Sequence, residues 1–307
     1  MDKKSKIILI SGPTASGKSN FAVSLAKKIN GEIINADSMQ VYKQFKILTA
    51  RPSKLEQKNI KHHLYGIVDL KTKFSTGDWL KLAIKKIHEI RGRNKIPILV
   101  GGTGLYFNSL INGLVKIPNI PIKFRNKIRL MQKTYGQKKF YKKLLKIDPK
   151  VKDKINSNDT QRSIRAFEIK SYSKKSMYDW ITQTKPSFKQ SEFLKLYINF
   201  ERKKLIERIE KRTLKMIKLG AIKEVKKFNT LKLSAQSSVS KVIGIQELKK
   251  FLEKKIKIDE AKELIDIKTR QYAKRQATWA RSKMVTWNRV DPKDFQLWIK
   301  KINFSNF

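Results

Sequence analysis

The run Gly12-Pro13-Thr14-Ala15-Ser16-Gly17-Lys18-Ser19 fits the pattern G-x-x-x-x-G-K-[ST]. Glycines at this spacing let backbone N–H groups close around phosphate oxygens, and a helix starting behind them adds the positive end of its dipole. Lys18 supplies a mobile charge, and the Ser19 hydroxyl can hold Mg²⁺. The pattern predicts a diphosphate or triphosphate site and does not by itself specify ATP. A second segment, Asn35-Ala36-Asp37-Ser38-Met39-Gln40, places a carboxylate after an apolar run. Asp37 can there be a general base, a magnesium ligand or the N-cap of a helix. A third, Gly101-Gly102-Thr103-Gly104, follows another apolar run that ends without the acid many P-loop ATPases carry there. Its glycines permit close approach of backbone to a ligand, and Thr103 is an N-cap, a substrate contact or both.

These three segments need a scaffold that brings them together. Ile7 to Ile10 is a continuous apolar run, as expected of a buried parallel strand. A helix follows over Lys18 to Ile29, with Phe21, Leu25 and Ile29 spaced by four. Glu32 to Ala36, Leu64 to Val68 and Ile96 to Val100 read as further strands, and Asp78 to Arg91 as a helix. The alternation predicts an α/β fold, a P-loop NTPase-like parallel sheet flanked by helices, with ligands at the C-terminal ends of the strands. After Gly113 the texture changes, and residues 118–197 read as a mostly helical insertion. The expected organisation is 1–117 for the first part of the core, 118–197 for the insertion and 198–307 for C-terminal helices completing the core. In that last part Leu205, Ile209 and Met216 share one helix face. Ile265, Tyr272 and Trp279 form another stripe, read as core packing.

The chain has 307 residues, with 71 Lys plus Arg against 25 Asp plus Glu, a formal charge of +46. Such an excess points to a polyanionic partner, nucleic acid ahead of an anionic membrane. The absence of cysteine excludes disulfides and Cys-based zinc sites. His62 and His63 lack the surroundings of a metal site. No stretch approaches the roughly 18 apolar residues of a membrane span, and the first apolar run is too short for a signal segment. A cytoplasmic protein without membrane contact is expected.

The order and spacing of the three segments, with His62-His63-Leu64 and Val68-Asp69, resemble those of the tRNA dimethylallyltransferases, also called tRNA isopentenyltransferases. Gln161-Arg162-Ser163-Ile164-Arg165-Ala166-Phe167-Glu168 looks like that family's Q-R-x-x-R-A-x-E segment. Thr269 to Arg281 looks like its C-terminal T-R-x-x-A-K-R-Q-x-T-W-x-R helix. The sequence departs from the family's G-T-A-K-P at Leu48 and Arg51, and from its I-G-Y at Ile245. The resemblance implies transfer of a dimethylallyl group from dimethylallyl diphosphate to N6 of the adenosine on the 3′ side of the anticodon, with Mg²⁺ and release of diphosphate. It implies Asp37 as the base, Lys18 and Thr14 at the diphosphate and Thr103 as a weaker candidate. It also implies tRNA contacts from Asp37, Ser38, Met39, Gln40, Thr103, Arg125 and Gln161 to Arg165, in a protein that acts as a monomer. Three other readings compete: a free adenine-nucleotide isopentenyltransferase, a P-loop nucleotide kinase, and a non-catalytic RNA-binding protein on a P-loop fold. None of the three explains both the intact Lys18, Ser19 and Asp37 and the basic segments beyond residue 118.

Overall fold

The computed structural model describes residues 6–231 and 242–302. Residues up to Ile111 and from Phe188 onward form one compact unit, and Asn112–Ser187 form a second. In chain order the elements are β1 (Ile7–Ser11), α1 (Lys18–Ile29), β2 (Gly31–Asn35), α2 (Lys54–Gln57), β3 (His62–His63), α3 (Thr76–Gly92), β4 (Ile96–Gly101) and α4 (Gly104–Asn112). Then come α5 (Ile122–Ile147), α6 (Thr160–Ser173), α7 (Met177–Thr182), β5 (Phe193–Ile198), α8 (Arg202–Lys218) and α9 (Ala221–Asn229). The chain closes with α10 (Ile245–Leu252), α11 (Ile258–Lys283), β6 (Asn288–Val290) and α12 (Phe295–Lys301).

The first unit is built on a six-stranded sheet in the order β3-β2-β4-β1-β5-β6. Every pairing in it is parallel. All five residues of β1 are buried, because a central parallel strand is covered on both faces. Alternation along it feeds two cores: Ile7 and Leu9 pack on one face, Ile8 and Ile10 on the other. The helix α1 covers the second face with Phe21, Leu25 and Ala26. On the first face α3 contributes Trp79, whose indole N–H donates to the Asn35 carbonyl at 2.8 Å and whose ring stacks on Tyr106. A capping box starts α3: Ser75 Oγ accepts from the Asp78 amide, and the Asp78 carboxylate accepts from the Ser75 amide.

Two expectations need correction. Residues 64–68 are not a strand. The sheet edge is His62–His63, after which Leu64 (φ 63°) and Gly66 (φ 59°) turn the chain in the left-handed region. Asn35 Nδ2 holds the Leu64 carbonyl at 3.1 Å, and only Val68 makes an isolated bridge, to Tyr42. The helical insertion also ends earlier than 197, because Phe193–Ile198 is β5, paired along its length with β1. The dense lysines upstream masked a short strand whose apolar residues are buried from both sides.

The second unit is helical. Its core gathers Ile128, Phe140, Leu144 and Phe167 from α5 and α6. Gly136 (φ 68°, ψ 165°) breaks α5 into two helical stretches.

Candidate functional site

In the sheet β2, β4 and β1 are neighbours, so their C-terminal ends deliver Asp37, Gly101 to Thr103 and the P-loop to one place. The P-loop itself turns through left-handed residues at Ala15 (φ 63°) and Gly17 (φ 88°), the latter standing directly before α1. Left-handed residues at this spacing are the backbone signature of an anion-binding nest, and within the loop the Ser16 amide donates to the Pro13 carbonyl at 3.3 Å. The Ser16 hydroxyl is buried without a hydrogen-bond partner among the described residues. Lys18 Nζ donates to the Pro13 carbonyl at 3.1 Å. Burial pulls its pKa down to about 8; the nearby Asp37 opposes the shift and Arg212 adds to it. Ser19 lies in the first turn of α1, and its hydroxyl engages no protein group among the described residues. There, no three acidic or histidine side chains cluster for a metal. A magnesium ion held by Ser19 would therefore take most of its oxygens from phosphate and water, its usual habit, so the donor set fits.

Asp37 does not cap a helix. Its Oδ1 accepts from the Met39 amide at 2.9 Å and the Gln40 amide at 3.3 Å, closing a turn. Its other oxygen has no protein partner among the described residues, and the residue lines a cavity. Ser38 and Met39 line the same cavity. Gln40 instead ties the segment down, donating to the Thr49 carbonyl at 2.8 Å. Thr103 touches the Asp37 segment rather than the cavity: its Oγ1 accepts from the Ser38 amide at 2.9 Å and lies 3.3 Å from Ser38 Oγ. Gly101 has to be glycine, since a Cβ there would lie 2.0 Å from the Ala36 carbonyl oxygen.

The helices α8 and α11 supply the rest. Arg212 Nη1 donates to Thr14 Oγ1 at 2.9 Å. Burial lowers the Arg212 pKa, Asp37 and Glu56 oppose this, and Arg208 lowers it further. Gln276 joins two of the loops, accepting from the Thr14 amide at 2.8 Å and donating to the Gly102 carbonyl at 3.0 Å. The cavity has a volume of about 320 Å³. Its polar lining is Thr14, Asp37, Ser38, Thr49, Arg212, Thr213, Thr269 and Arg275; its apolar lining includes Met39, Leu48, Ile209, Met216 and Ile265. Tyr272 also lines it, so the stripe Ile265, Tyr272, Trp279 is not only core packing: two of its three members face the cavity. The two departures noted above meet here, for Leu48 packs against Gly244, beside the buried Ile245.

Arg125 and the Gln161 to Arg165 segment belong to the second unit. Glu168 there is 1% exposed and faces three arginines: Arg165 at 3.1 Å, Arg125 at 3.3 Å and Arg129 at 3.7 Å. Gln161 and Arg162 are exposed, and Arg162 pairs with Asp159 at 2.9 Å. Ser163 is fully buried and accepts from Gln137 Nε2, and Ile164 packs on the small core. Sequence reasoning missed Arg212, Gln276, Thr269 and Arg129 as site residues.

Residues 40–283 match the family model described as IPP transferase. The tRNA dimethylallyltransferase of Pelagibacter ubique is 69% identical over 306 residues, covering 100% of this chain and 98% of that protein. That of Rickettsia massiliae is 41% identical, covering 97% of this chain and 84% of its own. The full-length tRNA isopentenylpyrophosphate transferase of Bacillus halodurans superposes with a TM-score of 0.69 at 35% identity, over 98% of this chain and 96% of that one. A eukaryotic dimethylallyltransferase captured acting on tRNA gives a TM-score of 0.84 at 30% identity, over 98% of this chain and 78% of that one.

Proposed function

The chain belongs to the IPP transferase family, that of the tRNA dimethylallyltransferases, and from this premise we propose how its cavity performs the transfer. The dimethylallyl group of dimethylallyl diphosphate passes to N6 of the adenosine on the 3′ side of the tRNA anticodon. The observation that carries the reading is one cavity holding a free carboxylate oxygen on Asp37, the Thr14–Arg212 pair and an apolar wall.

The exocyclic amine of adenine is a weak nucleophile, because its lone pair is delocalised into the ring. Its proton has to leave as the new bond forms. Asp37 is the base: Oδ1 is fixed by two amides, and the second oxygen takes the N6 proton. As the C–N bond forms, the bond between the prenyl carbon and the diphosphate oxygen breaks, and charge builds on diphosphate. The P-loop amides, Lys18 and Arg212 answer that charge, with Thr14 oriented by Arg212 toward it. Mg²⁺, held through Ser19, would supply further positive charge beside the leaving group. The prenyl tail fits the apolar lining of Met39, Leu48, Ile209 and Met216. Thr103 is a positioning residue that holds Ser38, and through it the Asp37 turn.

The target base has to leave its stack to reach a cavity of this kind. Ser38, Met39 and Gln40 flank the base-accepting carboxylate, and Arg125, Gln161, Arg162 and Arg165 are the RNA contacts of the second unit. Guanidinium groups suit that task, since they pair with phosphate and stack on bases. Action as a monomer belongs to the same reading, on the strength of the family resemblance. Among the described residues no helix is long and apolar enough to cross a membrane, and a tRNA substrate is consistent with work in the cytoplasm.

The test is transfer of label from dimethylallyl diphosphate, with Mg²⁺, into an anticodon stem-loop. Label is expected in the adenosine stem-loop and not in AMP, ATP or a stem-loop with guanosine at the target. Label in AMP would make the chain a nucleotide prenyltransferase. Tight stem-loop binding without label would favour the RNA-binding reading.

A further inference from the structure

Around the P-loop stand three cations, Lys18, Arg208 and Arg212, and none has a carboxylate within ion-pair distance among the described residues. Two of them have evident work in the transfer; Arg208 has none so far. It sits one helical turn before Arg212 on α8, so the two share a face. Its guanidinium lies over the left-handed Gly17, with Nη2 and Nη1 at 3.4 and 3.5 Å from where a Cβ on that glycine would stand. The Phe200 ring, 5.0 Å from the guanidinium carbon, gives the plane a platform, and Phe200 packs in the same small cluster as Ala15, Leu205 and Ile209. Arg208 makes no hydrogen bond within the described residues, so its donors remain unused. Unlike Arg212, it does not line the cavity.

We infer that Arg208 is a second arginine for the diphosphate, binding the phosphate remote from the prenyl carbon while Arg212 serves the near one. The inference rests on the transfer reading above and divides the work within it. Gly17 is the last loop residue before α1, at the positive end of the helix dipole, and a phosphate bound there is within reach of Arg208. Three cations this close repel one another, and the Arg212 pKa is lowered in part by Arg208. A bound diphosphate supplies the charge that relieves the repulsion. The remote phosphate changes little as the prenyl bond breaks. Arg208 therefore binds substrate, transition state and product about equally, and its contribution appears in affinity rather than turnover.

The experiment compares the full chain with R208A and R208K, using labelled transfer into the stem-loop and inhibition by inorganic diphosphate. For R208A we expect the inhibition constant of diphosphate and the KM for dimethylallyl diphosphate both to rise about tenfold, the size of one charge-assisted hydrogen bond at a partly exposed position. Turnover should stay within about twofold, as for loss of uniform binding. R208K, with its charge but without the planar fork, should fall between. The side chain is exposed, so an unchanged thermal midpoint is expected. Unchanged diphosphate inhibition with weaker stem-loop binding would make Arg208 an RNA contact and overturn the inference. Turnover falling as far as kcat/KM would also overturn it, by moving Arg208 to the transition state. No transfer by the unsubstituted chain would instead sink the reading beneath it.

Discussion

The molecule carries two arginine clusters that solve opposite problems. In the sheet unit, Arg208 and Arg212 stand beside Lys18 with no paired carboxylate among the described residues, and Arg212 spends its hydrogen bond on a neutral hydroxyl. In the helical unit, Arg125, Arg129 and Arg165 surround Glu168, which is almost wholly buried while their side chains are 36%, 48% and 40% exposed. The first arrangement is poised for an anion: its charges gain most when a phosphate arrives in a partly desolvated site. The second is partly compensated within, with one carboxylate facing three guanidinium groups. Glu168 accepts a hydrogen bond from Arg165 Nη1 at 3.1 Å and draws in Arg125 and Arg129 as ion pairs, which suits three partly exposed guanidinium groups that follow an RNA backbone. Glu32 shows the purely structural version of the second pattern, held by Arg93, His63 and Lys95. Burial pushes its pKa up, but those partners outweigh burial and hold it at about 2.

The sharpest test of the contrast is Asp37, the acid whose charge acts on both Lys18 and Arg212. Asp37→Asn keeps an oxygen for the Met39 and Gln40 amides but cannot take a proton. Turnover should fall by about 10² to 10⁴, the usual weight of a general base, with stem-loop affinity nearly kept. Retained turnover would mean that another group takes the N6 proton. Next in size is Arg212→Met, which should lower kcat by about 10² with a smaller change in stem-loop binding. If its effect were confined to KM, Arg212 would belong with Arg208, and the division between the two phosphates would fail.

Unpaired cations also predict a pH response. The Lys18 pKa is depressed to about 8 in the free site. The charged form binds diphosphate and is the form present below that value. Thus kcat/KM for dimethylallyl diphosphate should fall as pH rises through about 8, because kcat/KM reports the free enzyme. With donor saturating, the bound anion holds the proton on Lys18 and the fall in kcat should move to higher pH. Coincident profiles would show that the anion does not face Lys18.

The two clusters were unequally legible in the sequence. The P-loop and Asp37 announce themselves because backbone geometry fixes their residue types at fixed spacings, and the parallel strands that carry them are continuous apolar runs. Arg212 and Gln276 were hidden by the same logic that found the helices. Arg212 falls on the stripe of Leu205, Ile209 and Met216, and Thr269 and Gln276 fall between Ile265, Tyr272 and Trp279. A polar residue interrupting an apolar stripe marks a buried ligand or a buried hydrogen bond, and here it marks both: Arg212 lines the cavity and Gln276 bonds the Thr14 amide and the Gly102 carbonyl. The β3 edge was misplaced because Leu64 and Tyr65 look strand-like while Leu64 turns in the left-handed region. Arg129 was lost among the lysines of α5, since nothing local separates an arginine aimed at a carboxylate from a solvated one. Only the buried Glu168 distinguishes it.

That carboxylate also gives the smallest expected effect and the one that tests the cluster built around it. Glu168→Gln removes the charge and keeps the shape. If the carboxylate serves only as a competing anion, its loss leaves three freer cations and the stem-loop binds more tightly. If it orients the forks, the guanidinium groups scatter, each phosphate contact loses definition, and binding weakens despite the added positive charge. We expect weakening of about threefold to tenfold, within the range of one charge-assisted hydrogen bond. The slope of log affinity against log salt should become shallower, by up to about one phosphate contact. Turnover at saturating stem-loop should not change, because Asp37, Arg212 and the P-loop all belong to the other unit. A modest fall in thermal midpoint accompanies the loss, since partly exposed arginines are resolvated rather than stranded. Tighter binding with an unchanged salt slope would show that the two clusters differ in charge balance but not in purpose.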